Sequence, residues 1–369
     1  MSSLPESIKA LQIQPEHRGV KIVQIPFASQ DLVKHLPDDQ VIIRVRAVGL
    51  NPPDWQQAFS DWGTPGTIAG GDSAGDVVKV GSAVKHLKVG DRAAGLTLGG
   101  SYQTENGAFA EYVRFVAAVC FKLPESMTYE EAVSFPTPHL TAVLSLFRLN
   151  IPKPLSPNPK RETIFIWGGS TAVGHHAVQL AALAGLRVFV TASPAVHEDL
   201  KALGAEACFD YKDTDVVKKV LAAAGEEDII YGLDAVCEKG STDNCIDVLS
   251  PSRGGHLIVV LPVEPETEKR RKDVKVEFIL VHTQIGFPIE LGYSNISIPV
   301  LHEDKNGALE HVSVILPHIL ENWKAGHGSP NFKTQRLRHL EGGLERIQEG
   351  LEIMRDGKYG REKLVYTIA

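Results

Sequence analysis

The sequence predicts an α/β protein in which a doubly wound parallel sheet is joined to a smaller, β-rich module. Three observations lead there. Between residues 163 and 281, short apolar strands alternate with amphipathic helices. From 20 to 115 the chain instead reads as brief β-runs cut by Gly and Pro. Between the two lies a Pro-rich stretch, IPKPLSPNPKRE at 151–162. Neither a helix nor a central strand accommodates it, so it reads as a surface loop at a domain boundary.

In the β-rich part, strands are expected at 20–24, 41–48, 76–80 and 109–115, the second alternating apolar and polar side chains. Gly70, Gly71, Gly75, Gly81 and Gly90, in GGDSAGDVVKVGSAVKHLKVGDR, read as turn glycines. In the α/β part, strands are expected at 163–167, 187–192, 207–211, 229–236, 256–261 and 274–281, with helices at 173–184, 197–203, 215–224 and 243–249. Beyond residue 300, helical patterns cover 308–323 and 341–355, and a last strand covers 363–368.

Composition narrows the function. A net charge of −7 without a long single-sign block opposes binding to nucleic acid. No stretch approaches the roughly 18 uncharged apolar residues of a membrane span. The opening segment has no apolar core resembling a signal peptide, so the expected compartment is the cytoplasm. Cys120, Cys208, Cys237 and Cys245 are dispersed, which suggests neither a disulfide framework nor a zinc knuckle. The sequon Asn295-Ile296-Ser297 is then expected to be idle.

The chemistry concentrates after the first α/β strand. There Gly168-Gly169-Ser170-Thr171-Ala172-Val173-Gly174 leads into a helix. A strand, a small-residue turn and a helix start let backbone N–H groups hold a pyrophosphate. Measured against G-x-G-x-x-G, Gly169 and Gly174 match and Thr171 replaces the middle glycine, so Gly169, Ser170, Thr171, Ala172, Val173 and Gly174 are the candidate cofactor-binding residues. The alternative is a tight βα turn without a ligand. The second strand ends Val190-Thr191-Ala192-Ser193-Pro194, with no acid to bond a ribose 2′-hydroxyl. NADPH is therefore the expected cofactor, with Ser193 as a contact or as a cap for the next helix.

A β-rich module carrying GGDSAG and VGDR, a dinucleotide-type half and a return of the chain resemble the medium-chain dehydrogenase/reductase superfamily over essentially the whole sequence. Gly49-Leu50-Asn51-Pro52-Pro53-Asp54 resembles the N-P-x-D signature of its zinc-independent, quinone reductase-like branch. Phe135-Pro136-Thr137-Pro138-His139-Leu140-Thr141-Ala142 resembles the helix start beside the nicotinamide. The loop GGSTA, the Pro-rich insert and the ending Gly360-Arg361-Glu362-Lys363-Leu364-Val365 look most like fungal trans-acting enoyl reductases, stand-alone partners of polyketide synthases.

The resemblance implies a Rossmann doubly wound sheet plus a GroES-like catalytic domain, with 1–150 and 300–369 in the latter and 151–299 binding NADPH. It implies that Asn51 bonds near the nicotinamide ribose or the substrate carbonyl, its alternative being an Asx turn before Pro52. Thr141 matches a nicotinamide contact, and Tyr211 an aromatic at the adenosine end. Lys363 matches the basic residue of the closing strand, as a phosphate contact or a solvated lysine. One position departs: relatives can carry Lys two residues after N-P-x-D, where this chain has Gln56, and His139 becomes the candidate proton donor in its place. Asn51 to Asp54 and Gly70-Gly71-Asp72 stand where catalytic zinc ligands would be, and 95–112 has no cysteine for a structural zinc, so no metal is expected.

Without zinc, reduction of an activated C=C is the least demanding chemistry: hydride adds to the β-carbon and donors meet the charge on the carbonyl oxygen. The expected function is an NADPH-dependent, zinc-free reductase of an enoyl thioester or enone, with a carrier-bound or free acyl substrate, a polyketide synthase as partner, and a monomeric or homodimeric state. The alternatives are a quinone or carbonyl oxidoreductase and a catalytically silent NADPH-binding protein. The segment 286–293 with Trp55, Phe59 and Trp62 offers acyl-pocket or core surface. Lys269-Arg270-Arg271-Lys272 offers a patch for an acidic carrier protein, or a solvated loop.

Overall fold

The computed structural model describes residues 4–101, 103, 106–156, 160–290, 296–329 and 332–368, and the backbone of 291. Tyr293 and Asn295, and with Asn295 the sequon, lie outside them. The chain divides into two units, Met1–Thr137 with His282–Ala369, and Pro138–Val281. The changeovers thus fall at 137/138 and 281/282, where the expected ones stood at 150/151 and 299/300.

In the first unit the strand Gln40–Gly49 is central. Val41, Ile42, Ile43, Val45 and Val48 are β-branched and buried, on both faces of the pleat. On one side it pairs antiparallel with Asp72–Val80, where Asp72 lies opposite Gly49. On the other it meets Lys363–Thr367, where Val365 lies opposite Gly49. Both pairings therefore end at the same residue. Gly49 is required there, because a Cβ would sit 2.6 Å from the Val133 carbonyl oxygen and 2.9 Å from Lys363 Cε. Tyr112–Val116 pairs with the first half of the central strand, and Arg92–Leu96, Cys120–Lys122 and Leu337–Leu340 extend the sheet.

Helix α1, Pro52–Phe59, follows directly and escaped the sequence reading. Two prolines suit a first turn, whose N–H groups have no intrahelical acceptor in any case. Trp55 and Phe59 pack against the core that includes Val45, Leu351 and Tyr366, and the Arg355 guanidinium lies 4.7 Å from the Phe59 ring centroid. They are packing residues. The helix expected at 308–323 is His302–Glu310, a π-helical turn His311–Ile315, and Leu316–Ile319. Pro317 explains the break: its ring clashes with the carbonyl four residues back, and the widened turn lets Leu316 N–H reach the His311 carbonyl.

Helix α2, Pro136–Arg148, crosses the changeover between the units. The second unit's strands are β1 (Thr163–Trp167), β2 (Arg187–Ala192), β3 (Ala207–Asp210), β4 (Tyr231–Asp234), β5 (Gly255–Val259) and β6 (Val274–Phe278). Among the described residues they form a parallel sheet ordered β3-β2-β1-β4-β5-β6. This is the doubly wound order, which reverses between β1 and β4. Every residue of β1 is buried, as a strand covered on both faces requires. Among the described residues no helix is long and apolar enough to cross a membrane.

Helix α3, Ala172–Leu183, starts from the glycine loop after β1. A Cβ on Gly174 would lie 2.2 Å from the Gly168 carbonyl oxygen, and one on Gly169 would lie 2.0 Å from Val190 Cγ2. These glycines let the helix and its turn close on β1 and β2. Gly174→Val is expected to destabilise the second unit by about 3 kcal/mol, read as a lower urea midpoint; an unchanged midpoint would refute this packing role.

Candidate functional site

The loop after β1 is held by its own hydrogen bonds. Gly168 adopts φ +88°, and its N–H donates to Thr191 Oγ1 at 3.0 Å. Thr171 occupies the helix N-cap, and its Oγ1 accepts the Gly174 N–H at 3.0 Å. The departure from G-x-G-x-x-G thus has a structural reason: threonine supplies a cap that glycine lacks. The first turn of α3 leaves the Ala172 and Val173 N–H groups without intrahelical acceptors, at the positive end of the helix dipole. These residues fit a pyrophosphate.

Register carries the adenosine-side candidates to the same sheet end. Trp167 lies opposite Thr191 and Ala192 opposite Asp210, so Ser193 and Tyr211 follow neighbouring strand ends. Ser193 is half-buried and makes no cap hydrogen bond to the turn Pro194–Val196, so the capping alternative does not hold. Tyr211 is 43% exposed, with Lys212 Nζ 5.7 Å from its ring centroid.

His139 and Thr141 lie on α2, both buried. His139 Nδ1 is 3.3 Å from His176 Nδ1, with ring planes 87° apart, so one ring carries the proton that the other accepts. The spacing of four between His176 and the buried Leu180 places His176 on the inward face of α3. The Thr141 carbonyl accepts the Ser145 hydroxyl at 2.8 Å.

A second cluster lies in the first unit. Asn51 caps α1, and its backbone N–H donates to Asp54 Oδ2 at 2.7 Å. Its side chain points to other partners: Nδ2 donates to Asp72 Oδ2 at 2.8 Å, and Oδ1 accepts from Lys363 Nζ. The Lys363 ammonium also lies 3.2 Å from Asp72 Oδ2. Asp72 Oδ1 accepts the Thr137 hydroxyl at 2.6 Å and its N–H at 3.1 Å. Lys363 is 4% exposed and therefore not a solvated lysine, and an ion pair inside the first unit holds its charge. Burial pushes the Asp54 carboxyl up to about 7, against the lowering effect of its bond from the Asn51 N–H. Asp54 Oδ1 also accepts the Gly71 N–H at 3.1 Å. Asp72 and Thr137 were missed as site residues, since turn glycines and a helix start accounted for their surroundings. Gln56, on α1, is half-buried.

The basic run in the second unit is largely occupied. Arg270 pairs with Asp243 and Asp247, and Arg271 donates to the Ile246, Leu249 and Ser250 carbonyls, closing the end of the helix Ser241–Val248. Both arginines thus have partners on this helix, while Lys269 and Lys272 remain exposed.

Comparison with known proteins places this geometry. Residues 37–125 match the family described as alcohol dehydrogenase GroES-like domain, and 172–282 the family described as zinc-binding dehydrogenase. The chain is 32% identical over 364 residues to the trans-enoyl reductase ACTTS2 of Alternaria alternata, covering 98% of both. It is 33% identical over 380 residues to the trans-enoyl reductase mpsG of Macrophomina phaseolina, covering 100% of both. The fold is similar to that of the CurK enoyl reductase (TM-score 0.69, 19% identity, 99% and 100% covered). It is also similar to a quinone oxidoreductase from Coxiella burnetii (TM-score 0.66, 22% identity, 98% and 100% covered). The zinc in one family description does not fit Asn51 and Asp72, whose oxygens already hold the Lys363 ammonium, a cation that a metal ion would have to displace.

The raised Asp54 value fixes the sign of a pH effect. The folded value lies above the unfolded one, so the protonated carboxyl favours folding below about pH 4, and this contribution is lost as pH rises through about 7. Asp54→Asn is expected to flatten that decline by up to about 4 kcal/mol. Urea denaturation from pH 4 to 8 checks it, and an unchanged slope would contradict it.

Proposed function

Given that the chain belongs to the medium-chain dehydrogenase/reductase superfamily, in the group that includes the trans-enoyl reductases, we propose an NADPH-dependent reduction of the C=C bond of an enoyl thioester or enone. At the coarser level it is an oxidoreductase of a nicotinamide-using family. The observation that carries the finer reading is the end-to-end similarity to trans-enoyl reductases, in a chain whose dinucleotide loop is preformed. The acyl substrate is then carrier-bound, and the partner a polyketide synthase.

Bound NADPH would supply the hydride that adds to the β-carbon. The chain's own residues do the rest. Ala172 and Val173 N–H groups hold the pyrophosphate. Ser193 and Tyr211, with Lys212 beside them, meet the adenosine end; no carboxylate stands at 192–194 to repel a 2′-phosphate. As charge grows on the carbonyl oxygen, the Asn51 carboxamide offers an N–H. Thr141 orients the nicotinamide, and His139, sharing a proton with His176, supplies the α-carbon proton. No step uses zinc.

Fluorescence titration with NADPH and NADH, followed by absorbance at the NADPH band with crotonyl and longer enoyl thioesters, tests the reading. Micromolar NADPH binding with thioester-dependent oxidation is expected; binding without turnover would overturn it in favour of quinone reduction or a silent role. Ser193→Asp is expected to weaken NADPH about tenfold more than NADH through charge repulsion, and equal effects in the same titration would remove the 2′-phosphate assignment.

A further inference from the structure

We propose that Lys363 and Asp72 are positioning residues that lock the Asn51 carboxamide in one orientation, so that Asn51 meets its substrate as a hydrogen-bond donor. The inference rests on the enoyl reductase reading and specifies how one side chain serves it.

A carboxamide has two ends of nearly equal shape and opposite polarity. Left alone, Asn51 could turn either end toward a substrate. Here the two orientations are far from equivalent. Oδ1 accepts from the Lys363 ammonium, and Nδ2 donates to Asp72 at 2.8 Å. A flipped amide would press N–H groups against the ammonium and a carbonyl oxygen against the carboxylate, in a site where Asn51, Asp72 and Lys363 are all at most 4% exposed. The holders are themselves held. Asp72 takes two bonds from Thr137, Asn51 is tied through its backbone to Asp54, and Gly49 leaves room for the lysine stem.

The Asn51 amide nitrogen has two hydrogens, and Asp72 takes one of them. The other suits an acceptor such as the carbonyl oxygen on which charge develops. Its Oδ1 is turned to the Lys363 ammonium, from which it already accepts. The favoured substrate class is therefore one that presents a carbonyl oxygen.

Two variants test this: Lys363→Met, and the electrically neutral Lys363→Met/Asp72→Asn, which folds without a lone buried charge. Both are measured for thermal midpoint, NADPH Kd by fluorescence, and kcat and KM with an enoyl thioester. The expected result is that the double variant regains the thermal midpoint and keeps the NADPH Kd within about twofold, while kcat stays down by at least about tenfold because the amide is free to turn. Recovery of kcat together with the midpoint would overturn the inference and make the pair purely structural. A large rise in the NADPH Kd would overturn it in favour of a cofactor contact by Lys363. Absence of turnover by the unaltered protein would overturn the enoyl reductase reading, and this inference with it.

Discussion

The first unit depends on one buried ion pair. Lys363 and Asp72 are 291 residues apart in sequence, and both are removed from water. Two charges in such a place are costly unless each finds its partner and its remaining hydrogen bonds. The sheet makes that possible, because the pairing of Gln40–Gly49 with the strands on either side ends at Gly49 in both cases. The C-terminal strand thereby supplies the cation of the pair. Asn51, two residues past Gly49, inherits its setting from strands at both ends of the chain.

The second unit obeys a different constraint, that of close approach. Gly169 and Gly174 are surrounded by backbone and by Val190 so tightly that no side chain fits. The loop's shape follows from packing α3 against β1 and β2. Thr171 fits the same logic, since its hydroxyl fastens the first turn while the adjacent N–H groups stay available.

Several residues carried a correct chemical type and an incomplete role in the one-dimensional reading. Lys363 was legible as a cation but not as a buried one, because its burial comes from strands far away in sequence. His139 was legible as a titratable group, yet its partner His176 sits on another helix. Arg270 and Arg271 read as a basic patch or a solvated loop; nearby aspartates and helix-end carbonyls are their partners. Helix α1 was hidden by its prolines, which look like a turn until the first-turn exception is applied.

What the sequence determined by itself was everything that depends on local pattern. The alternation of strands and helices, the glycine loop with its context, the acid-free end of β2 and the family resemblance all follow from neighbours along the chain. The tertiary structure alone decided which charges are paired, which way Asn51 is held, and which histidine answers His139. The physical reason is distance along the chain. Strand register and helix packing set side-chain polarity and burial in those clusters across dozens to hundreds of residues, and no local window contains that information.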